Sequence, residues 1–283
     1  MWVRRRQGGR SMHHGRGRVG RLVALGGAVA IGGLLAPGAV AHAAGKRQIL
    51  VFGDSIMKES APTLKAASGA TLTYTVKNMA GRAPCDYLKV APKLFEKVAH
   101  GQRIHYDLFV IQTAGNSSSK CMKAASGKGF LKIGSPEWEA KYRTDLDDLV
   151  DYVATFNTPV LVVSSPPMAG EQVVRDDVYT TVEPQLHADR PAVMFSDDAR
   201  LAVSNSGQFT TQLPCLADET AADGCSQGMI TVRAPDDVHF CPTGFSNKIK
   251  GTGCSVYDSG GIRYGVGIDE AAQAAISSAA RHT

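Results

Sequence analysis

The stretch ILVFGDSIMKES, Ile49 to Ser60, decides how the rest of this 283-residue chain is read. Ile49 to Phe52 is a continuous apolar run, the pattern of a parallel strand buried on both faces. The run stops at Gly53 and passes through Asp54-Ser55 into a segment of helical character, Met57 to Ala67, with Pro62 expected near its start. A serine at such a junction has two readings. It caps the helix by accepting from backbone N–H groups. Or it is a nucleophile at the mouth of a sheet, which requires a base within hydrogen-bond reach and an acid to orient that base.

Outward from this strand the chain alternates between two periodicities. Thr71 to Val76 is β-rich, and Pro84 to His100 carries Tyr87, Leu88, Val90, Leu94, Phe95 and Val98 at near-helical spacing. Tyr106 to Gln112 reads as a second buried strand and leads into Thr113-Ala114-Gly115-Asn116. Ser135-Pro136-Glu137 opens the strongest helix, with a cap, a first-turn proline and early acids, followed by Tyr142, Leu146, Leu149, Val150 and Val153. Thr158 to Val163 and Arg190 to Phe195 are further strands, and Asp269 to Arg281 is a closing helix. Strands alternating with helices through short loops predict an α/β fold with a parallel sheet and helices on both faces. In such sheets the ligand site lies at the carboxyl ends of the strands, where Ser55 and Asn116 both fall.

The first 43 residues stand apart. They hold seven arginines and no acid, then an apolar, glycine-rich run from Leu22 to Val40 that ends in Ala41-His42-Ala43. This is the pattern of a secretory signal peptide, and residues 44–283 are expected as a single domain without a stable membrane span. A membrane anchor is the rival reading, weakened by Gly26, Gly27, Gly32, Gly33, Pro37 and Gly38. The whole chain carries +5, but without the seven arginines the remainder carries about −2. The basic balance therefore belongs to the first segment and gives no reason to expect a nucleic-acid partner.

Six cysteines follow: Cys85, Cys121, Cys215, Cys225, Cys241 and Cys254. An even number in an exported chain predicts disulfides. Six cysteines allow about 15 connectivities, which the sequence leaves open; pairing in sequence order, 85–121, 215–225 and 241–254, is the expectation because it closes short local loops. A zinc site would need C-x-x-C or H-x-x-x-H spacing, which the chain lacks.

Among the histidines only His239 lies in a suggestive string, APDDVHFCPTGF from Ala234 to Phe245, with Asp236 three residues before it. In a tight turn that spacing lets a carboxylate reach one ring nitrogen; an exposed loop histidine is the bland alternative. Oxyanion donors would come from the N–H of Ser55, the N–H of Gly81 in NMAGRAP and the amide of Asn116 in QTAGNSS. A turn glycine and a turn-stabilising asparagine would look the same.

Gly-Asp-Ser-Ile at the first strand, then Gly81, then Gly-Asn after a strand, then Asp-x-x-His late in the chain resembles the SGNH/GDSL hydrolase superfamily. The resemblance spans most of residues 48–245 and implies Ser55, Gly81, Asn116 and His239 as the functional residues, with Asp236 as the acid. Where the third block of the family reads Gly-x-Asn-Asp, this chain has Ala114-Gly115-Asn116-Ser117. The implied fold is a three-layer α/β/α, flavodoxin-like sheet, here stabilised by disulfides. The implied activity is a secreted serine esterase, monomeric and without a cofactor, acting on an acyl lipid or an O-acetylated sugar. An O-acyltransferase and a non-catalytic carbohydrate- or lipid-binding domain are the alternatives. Residues 204–235 read as an insertion, either a lid with Met229 and Ile230 against an acyl chain or a disulfide-pinned loop. Lys120, Lys123, Lys128 and Lys132 after Asn116 read as a solvated loop or as an attractor for an anionic polymer.

Overall fold

The computed structural model describes residues 46–69, 71–99, 101–176, 178–240 and 259–279. The expected signal segment and the expected Cys241–Cys254 pair lie outside the described residues. In chain order the elements begin with β1 (Arg47–Gly53), α1 (Ser55–Ala67), β2 (Leu72–Asn78) and α2 (Pro84–Phe95). A short antiparallel pair follows, β3 (Val98–Ala99) with β4 (Gln102–Arg103). Then come β5 (Leu108–Gln112), α3 (Pro136–Ala154), β6 (Val160–Val163), α4 (Glu183–Asp189), β7 (Val193–Ser196) and α5 (Asp198–Ala202). A hairpin of β8 (Gln212–Pro214) and β9 (Met229–Thr231) precedes the last helix, α6 (Ser259–Ala279).

The five long-range strands form one parallel sheet in the order β2-β1-β5-β6-β7. Counting these strands alone, the order is second, first, third, fourth, fifth, the flavodoxin-like arrangement, whose ligand crevice opens where the winding reverses. That point lies between β1 and β5. Successive side chains of each strand face opposite layers. Leu50, Phe52, Phe109 and Ile111 pack under α2 and α3 with Tyr87, Phe95, Tyr142 and Leu146. Ile49, Val51, Leu108 and Val110 pack under α1 and α6 with Ile56, Leu64, Tyr264 and Ile268. The three-layer α/β/α expectation holds.

Several boundaries move. α1 starts at Ser55, so Pro62 sits inside the helix rather than near its start. The segment expected helical from Pro84 to His100 stops at Phe95, and Val98 turns instead into the pairing with Arg103. α6 begins ten residues before Asp269, through Gly260, Gly261, Gly265 and Gly267. Glycine disfavours an isolated helix, but here it lets backbones touch: a Cβ on Gly261 would lie 2.9 Å from the carbonyl oxygen of Glu59 in α1. Tertiary packing overrides local propensity in this helix.

The excursion expected at 204–235 carries a small cluster of its own, Leu213, Ile230 and Val232, with Cys215 against it. Ile230 is therefore buried inside the hairpin. Arg263 of α6 donates to the carbonyl oxygen of Pro214 at 2.8 Å and pairs with Glu219, and Ser259 donates to the carbonyl oxygen of Asp223. These contacts pin the excursion to α6.

Candidate active site

β1 carries the chain to the carboxyl edge of the sheet, and Gly53 lets it turn there. A Cβ on Gly53 would lie 2.2 Å from the Cβ of Met57 and 2.9 Å from Oε1 of Gln112. No larger residue fits where α1 leaves the strand. Asp54 caps α1: its Oδ1 accepts from the N–H of Ile56 at 3.0 Å. Ser55 is the first helical residue, not the cap. Its hydroxyl lies 2.9 Å from Nε2 of His239, 184 residues away in sequence.

The second oxygen of Asp54 accepts from the N–H of Ala114 at 2.7 Å and from the amide of Asn116 at 2.8 Å. One fully buried carboxylate thus ties the end of β1 to the end of β5. Burial pushes its pKa up to about 6, against the pull of the Ile56 and Ala114 N–H groups and of His239.

His239 comes from a loop that organises itself. Oδ1 of Asp236 accepts from the N–H groups of Val238 at 3.1 Å and His239 at 2.9 Å, while Oδ2 meets Nδ1 of His239 at 2.6 Å. Asp237 turns through a positive φ of 60°, and the His239 carbonyl accepts from Ala234 at 2.7 Å. A carboxylate on Nδ1 keeps the proton there and turns the Nε2 lone pair toward Ser55. Burial raises Asp236, but its bonds from the His239 ring and backbone prevail and bring it down to about 2. For His239, burial favours the neutral ring. The Asp236 hydrogen bond and the charges of Asp236 and Asp54 oppose it, joined by Glu59 once that carboxyl is ionised, and the net effect raises its pKa from 6.5.

Arg233 holds the loop from beneath. It is 1 % exposed and donates to the carbonyl oxygens of Val238 at 3.2 Å and Pro167 at 2.9 Å. Its guanidinium lies 4.9 Å from the centre of the Phe240 ring. Burial lowers its pKa to about 10.

The candidate oxyanion donors occupy the same sheet edge. Asn78 is in register with Gly53, the N–H of Met79 donates to the Gly53 carbonyl at 2.7 Å, and Gly81 follows two residues on with a φ of +71°. The amide of Asn116 is held on both sides: its nitrogen donates to Asp54 and its oxygen accepts from Arg175 at 3.4 Å. Arg175 also donates to the carbonyl oxygens of Ala114 at 3.3 Å and Gly115 at 3.0 Å. A hydroxyl, an imidazole and a carboxylate in line, beside a helix N-terminus and a fixed amide, can move a proton off an alcohol and stabilise a nearby anion.

Residues 48–249 match the profile of a family described as a protein of unknown function, DUF459. The chain belongs to the DUF459 family. A search among curated protein sequences found no match. Solved structures similar to this DUF459 protein include an acetyl xylan esterase, 15% identical over 79% of this chain and 98% of that one, with a TM-score of 0.47. A GDSL-like lipase from Bacteroides thetaiotaomicron is also 15% identical, over 81% and 89% of the two chains, with a TM-score of 0.47. A lipase/acylhydrolase from Enterococcus faecalis is 15% identical over 79% and 96%, with a TM-score of 0.41.

Two expected disulfides of the DUF459 chain are present, Cys85–Cys121 and Cys215–Cys225. The first ties the start of α2, just beyond Gly81, to the short turn Lys120–Met122. Among the described residues, Cys85, Asp86 and Cys121 form the cluster that could hold a metal ion, but both sulfurs are spent in the disulfide. Four residues around the site escaped sequence reasoning: Asp54 as cap and bridge, Glu59, Arg175 and Arg233. Glu59 alone left a trace, since it lies four residues after Ser55 and a helix puts such residues on one face.

Proposed function

We propose that this DUF459 protein is an exported serine esterase of the SGNH/GDSL type. Ser55 is the nucleophile, His239 the general base and Asp236 the acid that orients the ring. Ser55 Oγ attacks the carbonyl carbon of an ester and its proton passes to Nε2 of His239. The N–H groups of Ser55 and Gly81 and the Asn116 amide hold the tetrahedral oxyanion. The intermediate collapses to an acyl-serine as the imidazolium returns its proton to the departing alcohol. Water, deprotonated by His239, then releases the acid and restores the serine.

The observation that carries this reading is the continuous line from Asp236 through His239 to Ser55, with contacts of 2.6 Å and 2.9 Å. Two cystines among the described residues fit an oxidising compartment and therefore export. The substrate is an ester of an acyl lipid or an O-acetylated sugar, bound by a monomer.

Hydrolysis of p-nitrophenyl esters of graded chain length tests the reading. Turnover is expected for at least the short acyl chains, with a loss of about 10³-fold or more in Ser55→Ala and His239→Ala. Turnover of no ester by the intact protein overturns it. Product formed only when an acceptor alcohol is present assigns an acyltransferase instead.

A further inference from the structure

Glu59 is a carboxylate that the hydrolytic scheme leaves without a task. It lies one helical turn beyond Ser55 in α1 and is 4 % exposed. Its Oε2 accepts from the N–H of Phe240 at 2.9 Å, 181 residues away. Its Oε1 is buried and meets no hydrogen-bond partner among the described residues. Phe240 follows His239 directly and packs on Tyr264 of α6 at 5.4 Å between ring centres. The nucleophile and the base therefore share a clamp: the helix that presents Ser55 also grips the backbone beside His239.

We propose that Glu59 is a positioning residue for the serine–histidine pair, and that it is a built-in charge whose ionisation strengthens His239 as a base. The proposal rests on the serine-esterase reading. A buried carboxyl with one unpaired oxygen is costly to ionise and has no packing advantage over glutamine or leucine. Its bond to the backbone N–H that follows His239 supplies the reason to keep it. The groups that act on it are those of the surrounding elements. Asp54 comes from the turn before α1, Asp236 and His239 from the facing loop, and Arg233 from the segment after β9. α6 contributes Gly261, which brings no charge. Burial, the largest influence, holds the Glu59 carboxyl protonated up to about pH 8, with His239 and the Phe240 N–H opposing and the two aspartates assisting. Below that pH the neutral acid clamps the loop. Above it the negative charge, held next to the His239–Phe240 backbone, favours the imidazolium that forms when Ser55 attacks.

The test compares the intact protein with Glu59→Gln and Glu59→Leu on p-nitrophenyl acetate from pH 6 to 10. Glutamine mimics the neutral acid and keeps the bond to Phe240. The wild type is expected to show a second rise in kcat/KM near pH 8, of about threefold to tenfold. Glu59→Gln should match it at neutral pH and lack that rise. Glu59→Leu should lose about tenfold or more in kcat with KM little changed, because the loop is unclamped. Identical profiles for wild type and Glu59→Gln overturn the proposal, as does wild-type kcat in a folded Glu59→Leu.

A second readout does not need turnover. The ring signal of His239, followed by NMR in the Ser55→Ala protein and assigned by its absence in His239→Ala, should show an inflection near pH 8 that Glu59→Gln removes. An unchanged titration curve refutes the charge coupling. If no ester is hydrolysed while the inflection is present, the esterase reading fails and the coupling stands. Should Glu59→Leu not fold, the glutamine variant and the titration decide.

Discussion

Asp54 and Asn116 meet at 2.8 Å across the ends of the neighbouring strands β1 and β5, at the point where the sheet reverses its winding. The same carboxylate caps the helix that begins with Ser55. A single buried side chain thus sets Ser55, the proposed nucleophile, and Asn116, the proposed oxyanion donor, relative to each other. The Asp54 carboxylate accepts three hydrogen bonds and donates none, which an ionised carboxylate does and an amide cannot.

Asp54→Asn follows from that count. One of its two terminal atoms becomes a donor facing another donor, either at Ile56 or at Ala114 and Asn116. kcat should fall by about 10²-fold with KM little changed, since an oxyanion donor is displaced rather than a binding surface. Steady-state kinetics on p-nitrophenyl acetate measure it, and an unchanged kcat would separate Asp54 from the site.

The acid limb of activity should lie above pH 6.5, because catalysis needs the neutral ring and the Asp236 bond and neighbouring carboxylates raise His239. Asp236→Asn should move that limb to lower pH and cut kcat by about 10⁴-fold, as expected for an acid that fixes the tautomer. Asp236 also bears on stability. It is held near 2 in the fold against 3.8 for a free aspartate. Its contribution is present above about pH 4 and is lost as pH falls through 2. Thermal melts from pH 6 to 2 should show the wild type losing more stability than Asp236→Asn.

Arg233 spans two backbone carbonyls on different segments, those of Val238 and Pro167. Arg233→Met keeps the volume but leaves both carbonyls without the donor. A loss of about 2–4 kcal/mol in unfolding free energy is expected, read by urea denaturation, with a fall in kcat because the His239 loop loses its floor.

The Cys85–Cys121 bond closes a loop of 36 residues that contains β5 and Asn116. Replacing both cysteines with serine should cost about 2–4 kcal/mol and lower the melting temperature by several degrees. The lysine turn that this bond ties to the start of α2, near Gly81, predicts a preference for negatively charged esters at low salt. Lys120→Glu with Lys123→Glu should abolish that preference, and raising the ionic strength should weaken it in the wild type.

Much of the fold was readable where the signal is local. The buried runs of β1, β5 and β6 and the capped start of α3 at Ser135 need only their own residues to declare themselves. The glycines of α6 argue against a helix until the backbone of α1 lies against them, so the sequence expects only its last part. Nothing before the turn to Val98 breaks the apolar spacing, so the sequence expects α2 to run on. At the site, Ser55, Asp236 and His239 were visible through residue type and order. Asp54, Glu59, Arg175 and Arg233 were not, because an acid or an arginine in a sequence carries no mark of burial.

By itself the sequence determined an alternating α/β chain, a serine at the end of a buried strand, and an Asp-x-x-His turn. These depend on periodicity and spacing over a few residues, which the backbone enforces locally. Only the tertiary structure decided that Asp54 takes the helix cap and leaves the Ser55 hydroxyl facing His239. It also decided that Glu59 and Arg233 clamp the loop and that Arg175 fixes the Asn116 amide. Apart from the Asp54 cap and the Arg233–Val238 contact, those relations join residues 59 to 184 positions apart, and only the packing of helices on both faces of the sheet brings them within hydrogen-bond range.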